Sequence, residues 1–246
     1  MRCFLQLSYN GKNYSGWQRQ ENAVSVQEVL EENLSKIFNV AIEIVGCGRT
    51  DTGVHAKEYY AHLDAALTIP ENFIYRINRM LPEDISISRI FQVPDNLHAR
   101  FDAVSRTYKY FIHFEKNPFL EDFSFQIHEW QPDLQKMNHC IRQLFGEHDF
   151  STFEKKGSDN KTSVCTLENA YWESTENGLV FTITANRFLR NMVRRITAAL
   201  LMVGLGKMTE QELIDAVLTM KALDVKIAVP AKGLFLWKVE YDFNEK

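Results

Sequence analysis

The chain alternates between strand-type and helix-type hydrophobic periodicity, and it runs through this alternation twice. Segments of period two predict strands, and segments of period 3.6 predict helices. The pattern favours an α+β fold with two similar α/β-sandwich halves, each a mostly antiparallel sheet with helices on one face. The predicted strands cover residues 2–8, 41–45, 59–63, 85–93, 104–114, 164–174, 179–185 and 234–241, and the predicted helices cover about residues 26–37, 71–80, 133–145 and 187–203, with one more after Thr209.

The two halves meet near residues 97–105, so the sequence predicts an N-terminal domain over residues 1–100 and a C-terminal domain over residues 101–246. No linker between them is long enough to make the halves independent, which favours a shared central cleft. Ser25 and Thr209 each precede a glutamate by three residues, a spacing that predicts a helix start. The C-terminal domain carries the most aromatic predicted strand and a helix rich in arginine.

Charge is distributed unevenly along the chain. Its 246 residues are 45% hydrophobic and 24% charged, as is usual for a soluble globular protein. The net charge of -4 lacks the overall basic balance that is usual for a nucleic-acid-binding protein. Between residues 186 and 207, however, there are four arginines and one lysine and no acidic residue. Any basic surface is therefore predicted to be local.

The spacing of the cysteines and the hydropathy of the sequence indicate the cellular compartment. Four cysteines are scattered along the chain and none forms a CxxC pair, so the sequence predicts no metal site and no redox dithiol. Reduced, buried thiols are typical of a cytoplasmic protein. The N-terminal residues show no signal-peptide pattern, and the longest apolar stretch, residues 196–205, is too short to cross a membrane. We therefore expect a cytoplasmic protein without a membrane association.

A polar loop flanked by glycines is the best candidate for chemistry. Residues 48–53 place Arg49 and Asp51 between Gly48 and Gly53, directly after a predicted strand. Glycine allows a tight turn and a close approach of a ligand to the backbone. Alone, this pattern is more typical of a turn in which an aspartate bonds its own backbone. It is not a phosphate-binding loop, because the lysine and the required glycine spacing are absent.

The longer segment GRTDTGVHA, residues 48–56, resembles the signature of the tRNA pseudouridine synthases of the TruA family. Further segments agree with that family in their order and spacing, and together they cover nearly the whole chain. They are GWQRQ at residues 16–20 with SVQ at 25–27, HARFDA at 98–103 with RTYKY at 106–110, GEHDFS at 146–151, FLRNMVR at 188–194 and PAKGL at 230–234.

The resemblance implies a pseudouridine synthase-type fold and a role for several residues. Asp51 corresponds to the catalytic nucleophile, Arg194 to the cation that pairs with it, and Tyr108 to the tyrosine that stacks on the target base. Arg49 is expected to fill the gap left by a flipped nucleotide or to hold a phosphate. Further expected RNA contacts are Gln18, Arg19, Gln20, Arg187 and Arg190.

The resemblance also implies the substrate and the assembly. The family acts on uridines at positions 38–40 of the tRNA anticodon stem-loop and works as a homodimer. No cofactor is expected, because the reaction is an internal rearrangement. The sequence leaves three chemical routes open to Asp51: attack on the sugar, attack on the base, or removal of a proton from the sugar. In each route Asp51 must be ionised, which a neighbouring cation favours.

The periodicity of the sequence gives independent information on four of these residues. Arg187, Arg190 and Arg194 lie at i, i+3 and i+7, so a continuous helix would place them on one face, opposite an apolar stripe. For a helix considered alone, such a face is typically solvated. Tyr108 and Tyr110 share one face of the predicted strand, and we expect Tyr110 to be a core residue.

The chain departs from the family pattern at a few positions. Glu154 and Cys165 stand where an arginine is frequent, and Arg190-Asn191 stands where a pair of histidines is common. These positions are expected to affect the tRNA contacts rather than the reaction itself.

Two alternative functions remain open at this stage. The first is a non-catalytic tRNA-binding protein on the same fold. The second is a metal-dependent hydrolase that uses Asp51, His55 and His148, which would need closely grouped ligands. Because these histidines lack ligand-type spacing, we expect both to be structural hydrogen-bonding residues.

Overall fold

The computed structural model describes residues 1–64, 69–128, 131–155, 157, 161–221, 223 and 228–243. Its contacts divide the chain into two units, residues 1–104 with 235–246, and residues 105–234. Residues 235–246, which the sequence-based division placed in the C-terminal domain, belong to the first unit.

The first unit contains five strands and two helices among its described residues. The strand β1 is antiparallel to both β3 and β4, β10 is parallel to β3, and the short β2 is antiparallel to β3. The strand order is therefore β4-β1-β3-β10, with β2 added to β3. The elements are β1 (Arg2–Tyr9), α1 (Val26–Phe38), β2 (Val45–Gly46), β3 (His55–Asp64), α2 (Phe73–Met80), β4 (Ile85–Val93) and β10 (Leu234–Tyr241).

Capping explains where α1 begins and ends. The Ser25 hydroxyl accepts a hydrogen bond from the Glu28 backbone N–H at 3.2 Å, so it satisfies one of the donors left open at a helix start. Asn39 adopts a left-handed conformation at the other end, a common way to terminate a helix. Leu30 and Leu34 of α1, and Phe73 and Ile77 of α2, are fully or almost fully buried, and they form the core beside the sheet.

The second unit contains five strands and three helices in the described ranges. The strands β5, β9, β8 and β7 are hydrogen-bonded in that order, all antiparallel, and the short β6 is parallel to β5. The elements are β5 (Ala103–His113), β6 (Phe125–Gln126), α3 (Leu134–Arg142), β7 (Gly146–Asp149), β8 (Val164–Thr175), β9 (Gly178–Ala185), α4 (Met192–Gly204) and α5 (Glu210–Leu218).

The starts of α3 and α5 are also capped by side chains. Asp133 accepts hydrogen bonds from the backbone N–H groups of Gln135 and Lys136 at the start of α3. The capping box predicted for Thr209 and Glu212 is present in full at the start of α5. The predicted α+β class with mostly antiparallel strands is confirmed.

Two further sequence expectations concern burial and membranes. All four cysteines are free and buried, and burial raises the pKa of the Cys140 thiol to about 12 and that of Cys165 to about 11. Such thiols stay protonated and unreactive at neutral pH. Within the described ranges, no helix has the length and apolar character needed to cross a membrane.

Candidate active site

Asp51 lies in the loop that joins β2 to β3 in the first unit. The two strands pair antiparallel with Val45 opposite His62, and the Cys47 N–H extends the pairing by donating to the Tyr60 carbonyl at 2.8 Å. The loop turns back at Asp51, whose carbonyl accepts a hydrogen bond from the Val54 N–H at 3.1 Å. Asp51 is half-buried, and β3 begins only four residues after it.

Hydrogen bonds hold this loop at several points. The hydroxyls of Tyr9 and Thr50 are 2.9 Å apart, and the Tyr59 hydroxyl donates to the Gly48 carbonyl. On the other side, the Trp17 N–H donates to the Thr50 carbonyl at 3.4 Å. These bonds attach both residues 48 and 50 to side chains or backbone of neighbouring segments, so the position of Asp51 is set by more than its own turn.

Three aromatic side chains pack beneath the loop. The Trp17 indole is stacked on the Tyr59 ring with centroids 4.0 Å apart, and Tyr9 contacts both rings. All three are buried. Gly46 lies against this pair, because a Cβ there would come within 2.1 Å of the Tyr59 hydroxyl oxygen and 2.5 Å of the Trp17 indole nitrogen. The aromatic group is therefore a rigid support for the loop.

The segment before α1 packs directly on the loop. Gly16 has a φ of +87°, and a Cβ at this residue would lie 2.2 Å from the Thr50 carbonyl oxygen. The Tyr14 carbonyl accepts from the Gly53 N–H at 3.3 Å, and the Tyr14 hydroxyl donates to Asp84 at 2.5 Å. Burial, together with that bond to Asp84, raises the pKa of Tyr14.

The supporting roles of Tyr9 and Tyr59 were not predicted from the sequence. Both are on strands, where an aromatic side chain is normally assigned to the core, and both are indeed buried. Their hydroxyl groups supplied the only available signal, because a buried Tyr hydroxyl needs a hydrogen-bond partner.

The two histidines of the metal alternative have structural contacts. His55 is 1% exposed, its Nδ1 accepts from the Gly11 N–H at 3.1 Å, and its ring is stacked on Phe235. The His148 Nε2 lies 3.2 Å from the Phe145 carbonyl oxygen. This is the structural role predicted for both. Among the residues that the structure describes, no group of three or more His, Cys, Asp or Glu side chains could hold a metal ion.

Tyr108 and Arg194 belong to the second unit. Tyr108 is half-buried on β5. Its ring packs edge-to-face against the ring of Phe188, with the ring centroids 5.1 Å apart. Tyr110 is fully buried and its hydroxyl donates to the Pro230 carbonyl at 2.8 Å, so its predicted place in the core is confirmed. Burial raises the pKa of Tyr110.

Arg194 lies in the first turn of α4. Its Nε donates to the Val229 carbonyl at 2.8 Å, and its Nη1 donates to the Asn191 Oδ1 at 3.1 Å. The Val229 N–H also donates to the Arg194 carbonyl at 3.3 Å. The guanidinium is thus held by two acceptors in different parts of the chain.

The start predicted for the helix over residues 187–203 was wrong. The helix α4 begins at Met192, because Asn191 has a left-handed conformation with a φ of 64° that interrupts helical geometry. Arg187 and Arg190 precede the helix, so they do not share a helix face with Arg194. The apolar stripe predicted over Phe188, Met192, Ile196, Ala199 and Val203 is present on α4 from Met192 onward, where these four residues are buried, whereas Phe188 is half-buried and precedes the helix.

The residues expected to contact RNA differ in their exposure and in their contacts within the protein. Gln18 and Arg190 are exposed, and Arg187 is half-buried. Arg19 is exposed but forms ion pairs with Glu31 at 3.2 Å and Glu28 at 3.7 Å, and the Gln20 amide donates to the Ser15 carbonyl at 3.0 Å. Arg49 is exposed, and no ion pair joins it to any residue in the described ranges.

Comparison with known proteins identifies the family. The family model described as tRNA pseudouridine synthase matches residues 7–102 and 140–242. This chain belongs to that family. Curated relatives named tRNA pseudouridine synthase A include proteins from Bacteroides thetaiotaomicron, which is 41% identical over 98% of this chain and 90% of its own length, and Bacteroides fragilis, which is 41% identical over 98% and 96%. The protein of that name from Chlorobaculum tepidum is 38% identical over 96% of both chains.

Membership of the synthase family covers both units. The matched ranges include the Asp51 loop and β3 in the first unit, and β8, β9 and α4 in the second. The family is therefore not assigned on the strength of one loop.

Proposed function

We propose that this chain isomerises uridine to pseudouridine in tRNA, at positions 38–40 of the anticodon stem-loop, with Asp51 as the nucleophile. The match of the family model over both units carries this proposal. The loop around Asp51 supports it, because bonds at residues 48 and 50 hold the backbone before Asp51, the bond from the Gly53 N–H to the Tyr14 carbonyl holds it after Asp51, and the aromatic group lies beneath. Fixed geometry of this kind lowers the entropic part of a reaction barrier.

The atoms of this reaction balance without a cofactor. The bond between C1′ of the ribose and N1 of uracil breaks, and a bond between C1′ and C5 forms. The base rotates between these steps, N1 ends with a proton, and C5 loses one. Asp51 can take part as a nucleophile on the sugar or the base, or first as a base on the sugar. All three routes use an ionised carboxylate and need neither an oxidant nor a reductant.

We assign the second unit two roles in this reaction. Arg194 supplies the positive charge that favours the ionised form of Asp51. Tyr108 stacks on the uracil ring, and its hydroxyl takes the C5 proton. The contact with Phe188 supports both parts of the Tyr108 role, since it fixes the plane of the tyrosine ring.

The remaining candidates are assigned to RNA binding. Arg49 is exposed beside Asp51, where it fills the place of an extruded nucleotide or holds a phosphate. Arg187 and Arg190 contact phosphates, and Gln18, Arg19 and Gln20 contact RNA from the segment before α1. Because such contacts release counterions from the RNA, the affinity for tRNA is expected to fall with increasing salt.

The proposal includes an assembly and a compartment. We propose that the chain works as a homodimer in the cytoplasm, as the family resemblance implies. The buried, protonated cysteines are compatible with a reducing compartment.

The deciding experiment measures tritium release from tRNA that carries [5-³H]uridine. Wild type is expected to release tritium, and Asp51→Asn, which keeps the shape of the side chain, is expected to bind tRNA and release none. Chemical mapping of pseudouridine in the product tests positions 38–40 separately. Modification only at other uridines would reject the assigned positions and keep the isomerase activity.

A non-catalytic tRNA-binding protein predicts a different result. In that case both proteins bind tRNA and neither releases tritium from any of several tRNAs. Tritium release by Asp51→Asn at the wild-type rate would keep the isomerase activity but remove Asp51 from its proposed role.

A further inference from the structure

The side chain of Asn191 makes a contact that is unusual for the residue before a helix. It is the residue that precedes the first turn of α4, where an asparagine normally accepts hydrogen bonds from the backbone N–H groups of that turn. Its side chain makes no such capping bond. Instead its Oδ1 accepts from the Nη1 of Arg194 at 3.1 Å. The amide therefore serves the arginine rather than the helix.

The left-handed backbone of Asn191 is compatible with this use. Its φ of 64° and ψ of 1° are outside the conformation usual for a residue that caps a helix start, which is extended. Asparagine tolerates the left-handed region better than most residues with a side chain. It thus combines the backbone conformation that starts α4 at Met192 with an acceptor for Arg194.

A second acceptor restricts the orientation of Arg194 further. The Nε donates to the Val229 carbonyl at 2.8 Å, and a guanidinium has a rigid planar arrangement of donors. One bond to Nε leaves the plane able to tilt around that contact. The bond from Nη1 to Asn191 Oδ1 restricts this tilt, because it fixes a further donor of the same plane.

The Val229 acceptor is itself fixed. The Val229 N–H donates back to the Arg194 carbonyl at 3.3 Å, and the neighbouring Pro230 carbonyl accepts from the buried Tyr110 hydroxyl at 2.8 Å. The segment that holds Nε is thus attached to both α4 and β5. Asn191 is the second support, and it can be removed without altering the first.

We infer that Asn191 is a positioning residue for Arg194 in the isomerisation. The inference rests on the proposed function, in which Arg194 supplies charge beside the reacting carboxylate. Asn191 acts through Arg194, so its loss lowers kcat while tRNA binding is retained. Loss of one hydrogen bond to a charged group corresponds to roughly a 10- to 100-fold fall in rate.

Asn191→Gly isolates the amide, because glycine adopts the left-handed region without strain and no capping bond is lost. Asn191→Asp is the conservative variant, since it restores an oxygen acceptor at the same position. Asn39→Gly is the matched control. Asn39 is also an asparagine next to a helix end with a left-handed φ, of 52°, and it is exposed at the end of α1.

Two measurements are made on each variant. NMR of the arginine side chains reports the rotation of the Arg194 Nη groups, which is slow when they are hydrogen-bonded. Tritium release gives kcat and KM for tRNA. We expect Asn191→Gly to show faster Nη rotation and a 10- to 100-fold lower kcat, with KM and Tm close to wild type. Asn191→Asp should restore slow Nη rotation, because it supplies an oxygen acceptor, but its negative charge offsets that of Arg194, so kcat should stay low. Asn39→Gly should match wild type.

The inference is overturned if Nη rotation is unchanged in Asn191→Gly, or if kcat is unchanged while the rotation is faster. It is also overturned if Nη rotation in Asn191→Asp is as fast as in Asn191→Gly. If wild type releases no tritium but the rotation responds as expected, the proposed function fails, while the positioning of Arg194 by Asn191 stands as a property of the fold.

Discussion

Gly16→Ala tests whether packing against the segment before α1 fixes the position of Asp51. The change adds one carbon atom at a residue with a φ of +87°, and that atom would lie 2.2 Å from the Thr50 carbonyl oxygen and 3.2 Å from the Asp51 carbonyl carbon. Both neighbours are backbone atoms, so no side-chain rotation can relieve the clash. The loop or the Gly16 segment must move.

The size of the movement follows from these distances. Ordinary contact with a Cβ begins near 3.4 Å, so the gap between Gly16 and Thr50 must widen by about 1.2 Å. A displacement of about 1 Å at a reacting group lowers the rate by roughly 100-fold. The positive φ adds about 1–2 kcal/mol of backbone strain, which lowers the free energy of unfolding.

A second alanine variant separates these effects. Gly206→Ala has the same kind of strain, with a φ of +67°, but no atom lies within 4 Å of the new Cβ, so it should lose stability and keep its activity. Thermal unfolding gives the stability, and single-turnover tritium release well below Tm gives the rate.

A wild-type rate in folded Gly16→Ala would refute the reasoning, because the loop would then tolerate the displacement. Equal losses of activity in Gly16→Ala and Gly206→Ala would also refute it, since the loss would then come from strain alone.

Two further predictions concern single side chains. Tyr108→Phe keeps the ring and its contact with Phe188, so tRNA binding should stay within about threefold while tritium release slows by roughly 10²–10⁴-fold; near-wild-type release would exclude the hydroxyl as the base. His62 is buried, its Nδ1 accepts from the Ala99 N–H at 3.1 Å, and burial, with smaller effects from Arg2 and His98, lowers its pKa from 6.5 to about 4. At pH values between these two pKa values, His62 is protonated in the unfolded chain and neutral in the folded chain. The free energy of unfolding should therefore fall as pH falls, by up to about 1.4 kcal/mol per pH unit. In His62→Asn, which keeps an acceptor, this part of the slope should vanish; equal slopes in urea titrations of the two proteins would contradict the assignment.

Regular elements with strong signals were predictable from the sequence. The strands β4 and β10 have the predicted bounds, because runs rich in β-branched and aromatic residues are typical of strands. The start of α5 followed from the Thr209 capping box. By contrast β2, expected over residues 41–45, is only Val45–Gly46, since a short apolar run does not define how many residues find a pairing partner.

The details of the candidate site were less predictable. The start of α4 was misplaced because the arginine spacing fitted a helix, and nothing in the periodicity marks Asn191 as left-handed. The supports of the Asp51 loop come from residues about ten to forty positions away in the chain, such as Tyr9 and Tyr59, and a single sequence does not show which hydroxyl reaches which carbonyl. The reactive side chains could therefore be named from a motif, whereas the groups that hold them could not.

The residues that support Asp51 and Arg194 have a backbone feature in common. Asp51 and Arg194 each have a neighbouring residue with positive φ: Gly16 packs on the backbone before Asp51, and Asn191 bonds the guanidinium of Arg194. At Gly16 the requirement is steric, since only a residue without a Cβ allows the close approach. At Asn191 it is chemical, since a glycine would fit the backbone but supply no acceptor. Gly16→Ala should therefore damage the site by adding atoms and Asn191→Gly by removing them, and each should act on the rate of isomerisation more strongly than on stability.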